Sequence, residues 1–440
     1  MKYLSRIAFR NVLVNFRHSL AAVLSITAAF FAVVVFEGYI SYVSQLYLTS
    51  YEYRSMFGDV LVENKFLRSK EGRSDPWKFY ITKDQQNKIT AFLGKHPDWT
   101  TSTVKSLSFQ GMVTNGKVSS IFIARAHDVP EGKIMRGDLW QWNAIYGKPL
   151  HLAETHQAVL LGQNLGRILG CVPLKKMNVM NSLGSYIAED RPMKCSTPDL
   201  QMSVTTESGQ LNAMDLQVAG LVDAGYQEID TKYIMLPMDT AQTLVNSDKI
   251  TIQTFMLSGK ISRAEFTKAF DAEVGLTEPD LKMMPWQNHS SGELYIKTME
   301  LLSIFRNFVI FVIISISTLS VFNNLIKIVK ERTREIGTLL SLGFLKEQVL
   351  GIFILESIFL SLIGLGLGLI LSTLVAGILN HSQIYYRAGL LSEPVLFQVS
   401  LAPLTMLIAG AVLITIAILS SYMACAATVR KKIIDCLQHA

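Results

Sequence analysis

The stretch Leu301–Val329, LLSIFRNFVIFVIISISTLSVFNNLIKIV, decides how this chain is built. Its only charges, Arg306 and Lys327, sit near its ends. About 20 apolar residues at ~1.5 Å each cross a ~30 Å hydrocarbon core, so this run spans a bilayer with length to spare. Next comes Lys330-Glu331-Arg332-Thr333-Arg334-Glu335-Ile336-Gly337-Thr338-Leu339-Leu340-Ser341-Leu342-Gly343-Phe344, a short charged patch that opens a new helix. Further apolar runs lie at Leu20–Val43, Val349–Leu379 and Leu401–Val429. Half of all residues are hydrophobic, with a mean hydropathy of +0.30, but the excess is confined to these four runs. The long middle has a soluble composition, so four spanning helices and one water-exposed domain are predicted.

The first run follows a basic leader carrying Lys2, Arg6, Arg10 and Arg17, the arrangement of a secretory signal. Its apolar core, Leu20–Phe36, exceeds the ~7–15 residues of a signal core, and no small-x-small cleavage site follows, so it is read as a spanning helix. Orientation comes from basic residues in short flanks. They gather in the leader, around Lys327, Lys330, Arg332, Arg334 and Lys346, and at Arg430, Lys431 and Lys432, whereas the third-to-fourth connection has only Arg387. Both termini and the charged patch are therefore expected in the cytoplasm.

The expected fold is four transmembrane α-helices with a large mixed α/β periplasmic domain inserted between helices 1 and 2. Its segments are a cytoplasmic amphipathic helix at 1–18, spans at 19–47, 294–330 (with a stalk), 347–379 and 401–429, the domain at 48–293, a cytoplasmic helix at 331–346, a short outside connection at 380–400 and a tail at 430–440. In Tyr3–His18, apolar residues recur at helical spacing between arginines, which suits a helix lying along a membrane surface. Tyr39, Tyr42, Val43, Leu46 and Tyr47 continue the first span as an aromatic belt, and a continuous helix from about Ser291 to Lys330 would make a rod of ~60 Å. Within the domain, residues 59–63, 118–124, 216–222 and 232–236 read as strands, Asn115-Gly116 as a hairpin turn, and 83–93, 162–169, 238–245 and 262–270 as helices. Residues 175–212 are polar with little periodicity and read as a long functional or mobile excursion.

The net charge of +6 is largely the cytoplasmic rim, and no basic stripe with interleaved aromatics marks a nucleic-acid partner. The chain has no G-x-x-x-x-G-K-[ST] phosphate loop, so no cofactor is assigned to it. Gly364, Gly366 and Gly368 interrupt an apolar run and read as close helix packing through small residues. His127 beside Asp128, and His151 near Glu154 and His156, lack the spacing of a metal or nucleophile site and read as surface histidines; no metal ligand or catalytic residue is assigned. Cys171 and Cys195 fall in the outside domain, where an oxidising compartment permits a disulfide, while Cys425 and Cys436 are expected reduced. Glu356, inside the third span, is open to a functional role or to a hydrogen bond with a neighbouring helix, and Glu37 is placed near the outer boundary, in reach of water.

The layout of one helix, a large outside domain and three helices resembles the permeases of the MacB, lipoprotein-releasing (LolC/LolE-like) and FtsX-like ABC transporter group. The patch Glu331-Arg332-Thr333-Arg334-Glu335-Ile336-Gly337, followed by Leu342-Gly343 and by Glu356 within Phe353-Ile354-Leu355-Glu356-Ser357, is similar to the group's cytoplasmic signature. The leader Ala8-Phe9-Arg10-Asn11-Val12-Leu13 is similar to its N-terminal helix, and residues 220–230 and 236–242 resemble the lipoprotein-releasing branch. The basic tail lacks the proline that often follows in the family.

This resemblance implies a bacterial inner-membrane permease subunit, not itself an enzyme, paired with a second permease copy or paralogue and with a cytoplasmic ABC ATPase dimer that holds ATP and Mg. It also implies that Glu331, Arg332, Arg334, Glu335, Ile336, Gly337, Leu342 and Gly343 couple to that ATPase, with fixed charges giving orientation. ATP-driven motion would then extract or export a lipoprotein or other envelope cargo, with a periplasmic adaptor, lipoprotein carrier or outer-membrane channel as further partners. The alternative is an FtsX-like transducer that activates periplasmic cell-wall hydrolases and moves no cargo.

Overall fold

Among the described residues, four helices are long and apolar enough to cross a membrane: Ser19–Arg54, Ser290–Glu331, Lys346–His381 and Pro403–Val429. They belong to a computed structural model that describes residues 2–14, 16–140, 142–155, 157–174, 192–224, 227–386 and 395–430. His156, residues 175–191, Gly225, Tyr226, Arg387, Lys431, Lys432 and Cys436, all used in the sequence reading, lie outside the described residues. The chain divides into two units, residues 1–44, 298–384 and 397–440 in one and 45–297 with 385–396 in the other. The mixed α/β domain thus sits between the first and second spanning helices, as expected.

In the helical unit a short helix, Lys2–Val14, precedes the first span, and its Val12 packs with Val23 and Leu360. The first, second and fourth spans share a core of Ala22, Ile26, Val321, Leu325, Ile328 and Ala417. With no hydrophobic drive between helices in lipid, association depends on close packing and interhelical hydrogen bonds. Both are present. Ser25 Oγ lies 2.9 Å from Ser320 Oγ and accepts a bond from Asn324 Nδ2 at 3.1 Å. A Cβ on Gly364 would stand 3.0 Å from Ile26 Cβ, and one on Gly368 2.9 Å from Phe30 Cδ1, so these two glycines let the third span lie against the first. Gly366 faces open space, and the packing reading does not extend to it. Glu37, placed by the sequence near the outer boundary, is half-buried: its Oε2 is buried, and Arg306 of the second span stands 3.5 Å from its other oxygen. The two charges lie far apart in sequence, which is why the pairing was not foreseen.

The other unit is built on a ten-stranded mixed sheet. Its strands, together with a separate two-stranded pair, are β1 (Val60–Asn64), β2 (Thr100–Thr114), β3 (Ser119–His127), β4 (Ala144–Gly147), β5 (Ala158–Gly162), β6 (Cys171–Pro173), β7 (Met193–Cys195), β8 (Asp199–Thr205), β9 (Leu211–Val222), β10 (Tyr233–Pro237), β11 (Ile252–Leu257) and β12 (Leu281–Pro285). The order is β12-β1-β11-β2-β3-β10-β5-β9-β4, and β8 pairs with both β2 and β9. That pairing closes a circuit of six strands, β2-β3-β10-β5-β9-β8, which leaves none of the six with a bare edge along its whole length. The β2–β3 hairpin turns at Asn115-Gly116: Gly116 takes φ +81°, which glycine adopts without steric cost, and Asn115 Oδ1 accepts from the Lys117 and Val118 amides at 2.9 and 2.7 Å. Helices Lys83–Lys95 and Arg263–Phe270 begin at capping boxes on Thr82 and Ser262, and bury Phe92, Phe266 and Phe270 in the core.

Two expectations are corrected here. Residues 192–212 are not an excursion: Leu200, Met202 and Val204 alternate inward along β8 while polar neighbours face out. The outward Ser, Thr and Gln residues conceal that period-two signal. Cys171 and Cys195, opposite each other across β6 and β7, are joined by a disulfide with S–S 1.99 Å. His127 is not a surface residue but fully buried, because the helix Val129–Trp140 folds back over the end of β3. Arg136 Nη2 of that helix lies 3.2 Å from His127 Nε2, and a Cβ on Gly132 would meet the imidazole at 2.6 Å. Burial, then the charges of Arg136 and Arg125, hold the His127 imidazole well below the usual histidine range. Burial also brings Arg136 down to about 10.

Candidate coupling site

The expected cytoplasmic helix is shorter than 331–346. Glu331 is the last residue of the second spanning helix, Arg332 breaks the geometry at φ −102° and ψ 17°, and the new helix runs Thr333–Ser341. Gly343 ends it at φ +92°, a left-handed conformation that favours glycine, and the third span starts at Lys346. Local sequence explains the break. Thr333 turns its hydroxyl back onto the carbonyls of Lys330 and Val329, at 2.8 and 3.3 Å, competing with the helical ladder at the junction.

The residues grouped by the sequence reading divide onto two faces. Arg332, Ile336 and Gly337 are buried; Glu331, Arg334, Glu335, Leu342 and Gly343 are exposed. Ile336 packs with Val329, Val349, Phe353, Cys425 and Val429, which ties the short helix to the second, third and fourth spans. Cys425 is free and buried. Arg332 does not project as a docking charge. Its Nη1 donates to Glu356 Oε2 at 2.6 Å, its Nε donates to Glu335 Oε2 at 2.7 Å, and its guanidinium lies 4.9 Å from the centroid of the Phe353 ring. Glu356, 5 % exposed, also accepts from Asn11 Nδ2 at 2.6 Å on its other oxygen. One carboxylate thus joins the N-terminal helix, the junction at Arg332 and the third span.

A buried ion pair of this kind adds little net stability over an apolar substitute, but removing one partner strands a charge, at ~3–5 kcal/mol. The pair therefore fixes where the Thr333–Ser341 helix sits. The opposite face of that helix shows Arg334, Glu335, Thr338 and Ser341 at successive turns, and beyond it Leu342 and Leu345 are 72 % and 64 % exposed on either side of Gly343. Large apolar side chains held in solvent beside fixed charges form a surface suited to another protein. Glu331 pairs with Lys327 at 3.9 Å along its own helix, while Arg334 has no ion pair among the described residues. Among those residues no group of three His, Cys, Asp or Glu side chains could hold a metal.

Asn11 and Phe353 were quoted only as parts of motifs, yet both touch this network. The available signal was Asn11 beside Val12 on the packed side of an amphipathic helix, where an amide needs a buried partner.

Residues 307–433, which include all of this site except Asn11, match the family model described as FtsX-like permease C-terminal. The resemblance read from the sequence is therefore borne out in the membrane half. The periplasmic region of MacB from Actinobacillus actinomycetemcomitans aligns at 12 % identity and TM-score 0.34, covering 55 % of this chain and 92 % of that one. The extracellular domain of the ABC-type transporter YknZ from Gram-positive bacteria aligns at 10 % identity and TM-score 0.30, covering 51 % and 98 %. No curated protein matches the chain.

Proposed function

We propose, from the match of residues 307–433 to the FtsX-like permease C-terminal family model, that this chain is the membrane subunit of an ATP-driven, MacB-like mechanotransmission transporter. A separate cytoplasmic ATPase, with its ATP and Mg, docks on the outward face of the Thr333–Ser341 helix. Its closure pulls that helix, and the motion passes to the outside domain through the 42-residue helix Ser290–Glu331. The chain works with a second copy or a paralogue in the inner membrane, with both termini cytoplasmic, and the outside domain engages a lipoprotein or other envelope cargo.

The observation that carries this reading is the division of the charged patch: one face pinned by Arg332 and Glu356, the other presenting Arg334, Leu342 and Leu345 to solvent. A site-specific photo-crosslinker at Leu342 in cells tests it. The expected product is an adduct with an ABC-type ATPase, identified by mass spectrometry, that is lost in an Arg334→Glu background. An adduct pattern without any such ATPase, in a chain that inserts normally, refutes the proposal. Arg334 is the better test position than Gly337, because Gly337 is buried and a bulky replacement there would disturb packing as well as docking.

A further inference from the structure

The α/β unit contains a cavity of about 990 Å³, at the upper end of the ~300–1,000 Å³ typical of small-molecule sites. Its ionisable lining is unbalanced. Among the described residues, Arg54, Arg68, Arg73 and Arg125 face it with a single carboxylate, Asp223, and one histidine, His289. Asp223 is engaged by Arg54 at 2.9 Å, and Arg68 by Glu63 at 3.2 Å. Arg125 differs: its Nη2 is buried and has no hydrogen-bond partner among the described residues, and its guanidinium lies 4.5 Å from the centroid of the Phe57 ring. Asn143, 3 % exposed, lines the same cavity with its amide nitrogen 3.4 Å from Met235 Sδ and its Oδ1 unpartnered among the described residues.

Buried polar atoms are almost always satisfied, so two unpartnered ones on one cavity wall, Arg125 Nη2 and Asn143 Oδ1, point to a ligand that completes them. A guanidinium donor calls for an oxyanion. Apolar and aromatic side chains, Tyr51, Phe57, Ile123, Trp140 and Ile252 among them, make up much of the remaining wall, with the hydroxyls of Ser55, Ser108 and Thr251 between them. A free phosphate ion would leave that wall wet, whereas an alkyl or aryl tail would dry it.

We propose that this cavity binds an anionic amphiphile: one phosphate or carboxylate group seated on Arg125, with a protonated oxygen or other donor toward Asn143 Oδ1, and an apolar tail against Phe57 and Trp140. The headgroup chemistry is shared by a lipid and by free phosphate, and the test separates them.

The full chain is placed in phosphatidylcholine nanodiscs and photolabelled with a diazirine-bearing decyl phosphate or with the matching decanol. Adducts are mapped by mass spectrometry, and labelling of the spanning helices serves as internal standard. A lost charge-assisted hydrogen bond is worth roughly tenfold or more in affinity. Adducts at Tyr51–Phe57, Ile123–Arg125 and Trp140–Asn143 are therefore expected about tenfold more often with the phosphate than with the alcohol, falling about tenfold in Arg125→Gln and largely retained in Arg125→Lys. Inorganic phosphate should compete only at large excess. Equal labelling by alcohol and phosphate, unchanged labelling in Arg125→Gln, or displacement by inorganic phosphate at the probe's own concentration overturns the proposal. Should Arg125→Gln fail to fold, the phosphate–alcohol ratio in the unaltered chain and the behaviour of Arg125→Lys decide it.

Discussion

Arg332 and Glu356 each make sense only through the other. Glu356→Gln leaves a buried guanidinium with a single exposed partner, Glu335, and should destabilise the helical unit by about 3–5 kcal/mol. The double change Arg332→Met with Glu356→Leu removes both charges and should recover most of that loss; thermal unfolding of the purified chain in detergent measures the difference. Failure of the double variant to exceed the single one would show that the pair is not the anchor. His127 gives a second residue-scale prediction. Its imidazole stays neutral when folded but takes up a proton near pH 6.5 when unfolded, so its contribution is full above pH ~6.5 and is lost as pH falls below it. Between pH 7.5 and 5.5 that loss is at most ~1.4 kcal/mol, and His127→Gln should lack it. All five tryptophans, Trp77, Trp99, Trp140, Trp142 and Trp286, lie in the α/β unit, so denaturant titration followed by tryptophan emission reads this unit alone. Residue types made Glu356 conspicuous from the start, because a carboxylate in an apolar run must be solvated by something. Arg332 was misassigned because a charge in a charged patch looks exposed; only its break in helix geometry turns it inward.

Helices were legible where periodicity or length is overwhelming. All four spans follow from hydropathy, the continuity of Ser290–Glu331 from apolar residues alternating with Glu293, Lys297 and Glu300, and the capping boxes mark Lys83–Lys95 and Arg263–Phe270. Strands fared less well. The Asn115-Gly116 turn located β2 and β3, but β5, reading AVLLG, offers an apolar run too short to tell strand from helix segment, and β8 hides its inward set among polar neighbours. Sheet order was not readable at all, since it depends on pairings such as β2 with β8 across about 90 residues. The glycines of the third span supply the element-scale prediction. Gly364→Leu must displace Ile26 and the Val23 carbonyl, whereas Gly366→Leu enters open space. The first should cost about 1–3 kcal/mol, as overpacking does, and the second little, compared as apparent melting temperatures of the two variants in the same detergent.

At the scale of the whole molecule, the sequence separates two kinds of solvent rather than two folds. Apolar residues at every position require lipid around them, and alternating residues with turn signals require water, so composition sets the domain at 48–293, while the compact unit runs over 45–297 with 385–396. What composition leaves open is which side of the membrane each part faces. The positive-inside rule answers through Lys330, Arg332, Arg334 and Lys346, although burial of Arg332 against Glu356 removes one of these charges from the flank. Lys330, Arg334 and Lys346 still outnumber Arg387, the one basic residue of the short outside connection, and the orientation should hold. Single cysteines at Ser208, exposed beside the β8–β9 turn, and at Arg334, exposed on the short helix, make this measurable in a chain with Cys425 and Cys436 replaced by alanine. A membrane-impermeant maleimide added to cells whose outer barrier is opened should modify Ser208→Cys and spare Arg334→Cys until the membrane is permeabilised. Modification of Arg334→Cys in unpermeabilised cells would place the Thr333–Ser341 helix on the domain's side, out of reach of any cytoplasmic ATPase.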